Sequence, residues 1–234
     1  MEEKMILGEN AVYSTDCKRT GLNNNVISGC GKTMSVVEPR FLKTVQSSLV
    51  VTVTKKRIVD KYKALFEKRE YTIDKLDFVH PEESTVAYDP LFYVNSYADI
   101  RFLAESIVMA NPRKEGSSSD PYWDSAAISL LSAEIALVLM STRGTFADVL
   151  ELHDSIIFTE NGGQIETSLD GKFEELEKRD PHCYAVSCWR SFRQLPIRTA
   201  SCVFSSLNTM MDTIFSPELR TMMKNKRKID FQNL

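Results

Sequence analysis

The sequence lacks the paired cysteines that are typical of secreted proteins and the closely spaced cysteines and histidines that are typical of metal-binding proteins. Its five cysteines are odd in number and form no Cys-x-x-Cys pair, which excludes a disulfide framework and favours a reduced, cytoplasmic chain. Its three histidines, His80, His153 and His182, have no partners at metal-ligand spacing. A zinc site is therefore not expected.

A long uninterrupted apolar run is also missing. The longest apolar stretch, residues 126–140, contains Glu134 and is shorter than the ~20 residues that a membrane-spanning helix needs. The N-terminal stretch MEEKMILGENAVYS carries acids and is too weakly apolar for a signal peptide. We expect a globular chain with one large or two small domains, which is soluble and cytoplasmic when expressed alone.

The net charge of the chain argues against a general attraction for nucleic acid. With 29 basic and 32 acidic residues the chain carries a formal charge of -3, so it has no general attraction for nucleic acid. Contact with DNA would have to come from local basic clusters. The sequence contains two short clusters of this kind. The first flanks Trp189 and Phe192 and consists of Arg190, Arg193 and Arg198. The second lies near the C-terminus and consists of Lys224, Lys226, Arg227 and Lys228.

Each cluster allows two interpretations. The arginines beside Trp189 and Phe192 could stack and pair with single-stranded DNA, but buried aromatics with exposed arginines are the more common arrangement. The C-terminal basic run is most often a solvated tail.

Strand-like and helix-like segments alternate over the first ninety residues. Strands are predicted at 11–14, 26–27, 49–54 and 71–79, and helices at 32–43 and 57–69. The first helix contains Pro39, which should kink or end part of it. Strand–helix alternation of this kind predicts an α/β fold with a parallel sheet covered by helices.

Beyond residue 96 the periodicity becomes helical. Helices are predicted at 97–110, 122–141, 146–154 with Thr145 as its cap, 164–179, 183–195, 199–215, and from 217 to about 223. A loop, PRKEGSSSDP, follows the first of them. We therefore expect an incomplete nucleotide-binding region over 1–112, an all-helical insertion over 113–195, and a helical return segment over 196–234.

The pentapeptide Gly29 to Thr33 has the composition of the second half of a phosphate-binding loop. Backbone N–H groups of glycine-rich turns bind anions at a helix N-terminus, where the helix dipole adds to the attraction. Lys32 would reach the β and γ phosphates, and the Thr33 hydroxyl would ligate magnesium. The candidate ligands are ATP and magnesium, and the candidate binding residues are Ser28, Gly29, Cys30, Gly31, Lys32 and Thr33. A chance occurrence at a turn is the alternative.

Three separated segments resemble the coupling ATPases of type IV secretion systems, the conjugative DNA-transfer proteins of the TraG and TraD kind. The segments are RTGLNNNV to GKTMSVVEPRFL, SSSDPYWDSA, and SCWRSFRQLPIRTASCVFSSLNTMMDTIFSPELR. The resemblance implies a partial RecA-like P-loop NTPase domain with an inserted all-α domain. It also implies a homo-hexamer at the cytoplasmic face of the plasma membrane that passes single-stranded DNA with its relaxase, or effector cargo, to type IV secretion channel proteins.

The sequence departs from that family pattern in two ways, which affect ATP binding and ATP hydrolysis. The phosphate loop is shortened, since residues between the asparagine run and Gly31-Lys32-Thr33 look deleted and Val26 stands where the full pattern has glycine. In addition, no apolar run ending in Asp-Glu follows the loop. That run carries the catalytic carboxylate in the family, so we expect a truncated or decayed form with ATP binding at most, and we assign no catalytic residue. The alternative function is a non-catalytic interaction module whose helical domain binds cargo or partner proteins.

Overall fold

The computed structural model describes residues 4–8, 11–14, 37–53, 57–110, 121–161 and 164–233. The chain forms two compact units. One comprises Met1–Ile73 together with Phe231–Leu234, and the other comprises Asp74–Asp230.

Where the structure describes it, the first unit contains a hairpin and two helices. Strands β1 (Lys4–Gly8) and β2 (Ala11–Ser14) pair antiparallel. Helix α1 (Glu38–Lys43) begins around Pro39, at a position where a missing N–H costs nothing, and α2 follows at Arg57–Lys68. Phe41 of α1 packs edge-on against Tyr62 and Phe66 of α2, at ring distances of 5.3 and 5.8 Å.

Polar contacts tie α1 to α2. The Glu38 carboxylate accepts hydrogen bonds from Lys61 at 2.7 Å and from the Tyr62 hydroxyl at 2.8 Å. At the other end of α1, the Arg69 guanidinium donates to the backbone carbonyls of residues 41, 42 and 44. A cation placed there satisfies carbonyls that the ended helix leaves unpaired and complements the negative end of its dipole.

The second unit is mainly helical. Its elements are α3 (Tyr97–Met109), α4 (Pro121–Ser141), α5 (Phe146–Asp154), β3 (Phe158–Asn161), β4 (Gln164–Thr167), α6 (Asp170–Arg179), α7 (Tyr184–Arg193), α8 (Ile197–Ile214) and α9 (Pro217–Asn225). Short 3-10 turns at Pro81–Glu83 and Pro90–Tyr93 precede α3. The predicted helices 97–110, 122–141 and 146–154 are confirmed to within a residue or two.

Helix α4 is the centre of this unit. It packs against α3, α5, α7 and α8, and Leu130, Leu131 and Ile135 are fully buried. By length and composition it could cross a membrane, and 61% of its most apolar window is buried inside the protein. Packing on four helices accounts for an apolar composition that is not confined to one stripe.

Local capping fixes where the helices begin. The Ser96 hydroxyl accepts from Asp99 N at 3.2 Å while the Asp99 carboxylate accepts from Ser96 N at 2.9 Å, a capping box at the start of α3. The buried Asp89 carboxylate is more unusual, because its Oδ1 accepts from both Leu91 N and Phe146 N at 3.1 Å. One side chain thus caps the Pro90–Tyr93 turn and the N-terminus of α5.

The predicted α/β class, with a parallel sheet and a partial RecA-like core, is wrong for the part of the chain that the structure describes. Its strands form two separate antiparallel hairpins, β1–β2 and β3–β4, and the sole parallel pairing there is an isolated bridge between Ala87 and Lys228. The insertion predicted as all-helical also carries the β3–β4 hairpin, where residues 164–167 were expected to be helix.

Two predicted strands show why the sheet prediction fails. Residues 49–53 pair with no other strand among the residues that the structure describes, and Val50 is 68% exposed. Along the predicted strand 71–79, Lys75 N bonds the Thr85 hydroxyl and Asp77 N bonds the Ser84 hydroxyl, both at 2.8 Å. A loop therefore takes the backbone groups that a neighbouring strand would need. β-branched composition describes a fit to a sheet surface and cannot supply the partner strand.

Candidate functional site

The candidate phosphate-binding residues, Ser28 to Thr33, lie outside the described residues. Their nucleotide and magnesium roles therefore stay predictions.

Trp189 and Phe192 of α7 are buried, as the interpretation with core aromatics predicted. Trp189 and Phe192 have exposures of 5% and 0%, and Trp189 stacks in parallel on Phe173 of α6 with ring centroids 4.4 Å apart. The neighbouring arginines are engaged too: Arg190 pairs with Glu177 and Arg193 with Asp170. These rings have no free face to offer to a nucleic-acid base.

The C-terminal basic run is not a solvated tail, and that interpretation was wrong. Lys226 Nζ donates to the backbone carbonyls of Pro81, Glu82 and Ser84, and Arg227 pairs with Asp74 at 2.6 Å. Lys228 Nζ donates to the carbonyl of Met223. Lys226 and Lys228 donate to backbone carbonyls and Arg227 pairs with a carboxylate, all within the second unit, so the run packs against the fold.

A groove lies between the C-terminal end of α4, helix α5 and helix α6. Its volume is about 500 Å³, and apolar side chains from all three helices line it: Leu137, Val138, Met140, Leu152 and Leu176. Charged side chains of both signs, Asp148, Glu151, Glu175, Lys172 and Arg179, surround this apolar surface. An apolar floor within a mixed rim suits a protein segment that presents apolar and charged side chains together.

The acidic side of the groove is held in place by hydrogen bonds. Although burial opposes ionisation of Asp148, hydrogen bonds from Thr145 N and Oγ1, at 2.6 and 2.9 Å, together with Lys224, lower the pKa of its carboxyl. The Lys224 Nζ lies 2.5 Å from Glu151 Oε1 and 3.3 Å from Asp148 Oδ1. The hydrogen bond to Glu151 raises the pKa of the Lys224 ammonium. Asp148 and Lys224 are therefore charged at neutral pH, and their ion pair holds α9 against the outer side of α5.

Comparison with protein families decides the identity of the chain. The model of the type IV secretory system conjugative DNA transfer family matches residues 26–228, which is most of the 234 residues. The chain belongs to the type IV secretory system conjugative DNA transfer family. Searches of curated proteins and of solved structures found no match.

The match to the conjugative DNA transfer family covers two distant regions of the sequence. The matched range begins before the candidate phosphate-binding residues and continues through α9. Both the Gly-x-Gly-Lys-Thr sequence and the groove between α4, α5 and α6 are therefore parts of one conjugative-transfer sequence. The expected division at residues 112 and 195 stays a prediction.

The histidines of this family member have different surroundings. His80 lies 3.6 Å from Glu82 near the surface, whereas His153 is fully buried against Glu134. Among the described residues, no cluster of three His, Cys, Asp or Glu side chains could hold a metal ion. The buried pair is the feature that the sequence reasoning missed; its one signal was Glu134, an acid inside the longest apolar run.

Proposed function

We propose that the chain acts in conjugative DNA transfer as a nucleotide-binding coupling protein. Its helical second unit would bind the protein that accompanies the DNA, either the relaxase or an effector. The observation that carries the proposal is the single family match that spans both Gly29 to Thr33 and the groove-bearing helices. ATP would bind at Ser28 to Thr33, with Lys32 on the phosphates and the Thr33 hydroxyl on magnesium.

The proposal extends to location and assembly. Such a protein would work at the cytoplasmic face of the plasma membrane, next to the secretion channel, as a homo-hexamer that passes single-stranded DNA onward. The groove would supply the contact with protein cargo because its apolar floor and charged rim match a protein segment better than a nucleic-acid backbone, which favours free positive charge.

Nucleotide binding can be tested directly. We expect a fluorescent ATP analogue to bind the purified chain in the presence of magnesium, and to bind much more weakly to Lys32→Ala or after magnesium is chelated. Lys75→Ala is a matched control, since Lys75 pairs with Glu83 in the second unit. Equal affinity of wild type and Lys32→Ala would show that these residues are not a nucleotide site.

Cargo binding needs a separate test. A photo-crosslinking residue at Met140, which lines the groove and is 50% exposed, should capture a relaxase or an effector in conjugating donor cells. The same residue at Phe102, which is 71% exposed on α3, should not. Identical patterns at the two positions would rule out the groove as the cargo site.

If the groove captures cargo and no nucleotide binds, the protein is a non-catalytic interaction module. The favouring observation for this second candidate is Val26, which replaces a glycine of the full phosphate-loop pattern. Binding of the fluorescent ATP analogue separates the two candidates, because neither is expected to release phosphate from ATP, with or without single-stranded DNA.

A further inference from the structure

The core of the second unit contains two ionisable side chains in direct contact. Glu134, in the middle of α4, and His153, near the end of α5, both have fully buried side chains. The His153 Nδ1 lies 2.9 Å from Oε1 and 3.1 Å from Oε2 of Glu134. The two residues are 19 positions apart in sequence, so the pair exists only when α4 and α5 are packed.

The surroundings of the pair are almost entirely apolar. The imidazole ring stacks on Phe204 of α8, with ring centroids 4.3 Å apart, and Phe204 in turn contacts Phe158 of β3. Asp154 on α5 adds a further charge that acts on the Glu134 carboxyl, and Arg220 of α9 pairs with Asp154 at 2.6 Å. His153 Nε2 has no hydrogen-bond partner among the described residues.

A net charge on such a pair is costly because the site is desolvated. Burial raises the pKa of the Glu134 carboxyl, in opposition to the attraction of His153, and Asp154 adds to the rise. An ionised Glu134 beside a neutral imidazole would leave a buried negative charge. A protonated Glu134 beside an imidazolium would leave a buried positive charge.

We propose that Glu134 and His153 together hold one titratable proton in the core, and that the packing of α4 against α5 and α8 loosens when a rise in pH removes it. Both α4 and α5 also line the groove, so the loosening would alter the groove whatever it binds. The inference does not depend on the proposed function.

The direction of the pH effect follows from the proton count. In the unfolded chain glutamate releases its proton near pH ~4.3 and histidine near pH ~6.5, so at pH 8 the two side chains hold none. The folded pair retains one proton at that pH. Folding therefore takes up a proton above pH ~6.5, and the unfolding equilibrium constant should rise about tenfold for each pH unit until the folded pair is deprotonated.

The test is chemical denaturation of the full chain at several pH values between 6 and 9. Wild type should show the tenfold rise per pH unit, and Glu134→Gln, which keeps the shape and a hydrogen bond, should lack it. His182→Gln is the control, because His182 is exposed and its variant should follow wild type. Parallel profiles of wild type and Glu134→Gln would overturn the proposal.

A second measurement covers the case in which Glu134→Gln fails to fold. The imidazole NMR signals of His153 in the wild-type chain should stay unchanged from pH 5 to pH 8, and free imidazole measured under the same conditions is the reference. If the His153 signals shift in parallel with those of free imidazole, the core does not retain the proton and the proposal is wrong.

Discussion

Among the residues that the structure describes, the two compact units bury their apolar side chains on very different scales. In the second unit, Phe146, Phe192 and much of α4 are fully enclosed by other helices. In the first, Phe41 and Tyr62 are buried in one small cluster, while Val50, Val51 and Val53 are exposed. A helical core can thus close with local elements, whereas a β-branched segment gains burial only if another strand covers it.

The largest effect should come from emptying the helical core. Phe192→Ala removes a fully buried ring beside Trp189, 5.7 Å away, and should lower the free energy of unfolding by about 3–5 kcal/mol. Urea denaturation followed by tryptophan fluorescence reports on this site directly. Phe102→Ala on the exposed face of α3 should change stability by less than about 0.5 kcal/mol. Similar losses for both variants would contradict the packing described for α7.

A smaller loss is expected at the shared cap. Asp89→Ala leaves Leu91 N and Phe146 N unpaired in a buried site, and we expect it to cost about 2–3 kcal/mol. Asp89→Asn keeps an oxygen acceptor for both donors and should be close to wild type at neutral pH. Thermal unfolding of the two variants separates the hydrogen bonds from the charge.

The pH dependence of Asp89 sharpens that experiment. Burial raises the pKa of its carboxyl, in opposition to the hydrogen bonds from Phe146 N and Leu91 N. A raised folded-state pKa contributes stability that is present below the unfolded value, near ~3.9, and is lost as pH rises through the folded value. Asp89→Asn should remove this acidic-range decline. A decline of unchanged size in Asp89→Asn would assign it to other carboxyls.

Two glycines should respond in opposite directions. A Cβ at Gly144 would lie 2.5 Å from Asp148 Oδ2 and 2.9 Å from Thr142 Oγ1, so Gly144→Ala should displace the Asp148 carboxylate from Thr145 and cost about 1 kcal/mol. A Cβ at Gly171 in α6 meets nothing within 4 Å. Gly171→Ala should therefore stabilise the protein by about 0.5–1 kcal/mol. Calorimetric melting temperatures check the opposite signs, and two shifts of one sign would be inconsistent with this geometry.

The contrast between the units also explains what the sequence could predict. Helix α5 was predicted with its full range because its signals are local: Thr145 precedes it and Asp148 follows three residues later. The Glu134–His153 pair and the carbonyl contacts of Lys226 join positions far apart in sequence, so no local pattern could indicate them. Residues 49–54 were predicted as a strand from their β-branched composition, but a strand also needs a partner from a distant part of the chain, which composition does not indicate. The nucleotide-binding residues were proposed from composition and family resemblance alone.

The smallest effect should be found in the first unit. Val50→Thr replaces a methyl by a hydroxyl on a side chain that is 68% exposed, and should change the free energy of unfolding by less than about 0.5 kcal/mol. Val149→Thr makes the same replacement in α5 at a fully buried position, where the desolvated hydroxyl should cost about 1–3 kcal/mol. Urea denaturation followed by far-UV circular dichroism measures both variants under one condition. If Val50→Thr costs as much as Val149→Thr, the valine segment is covered in solution, and the contrast between the two units does not hold.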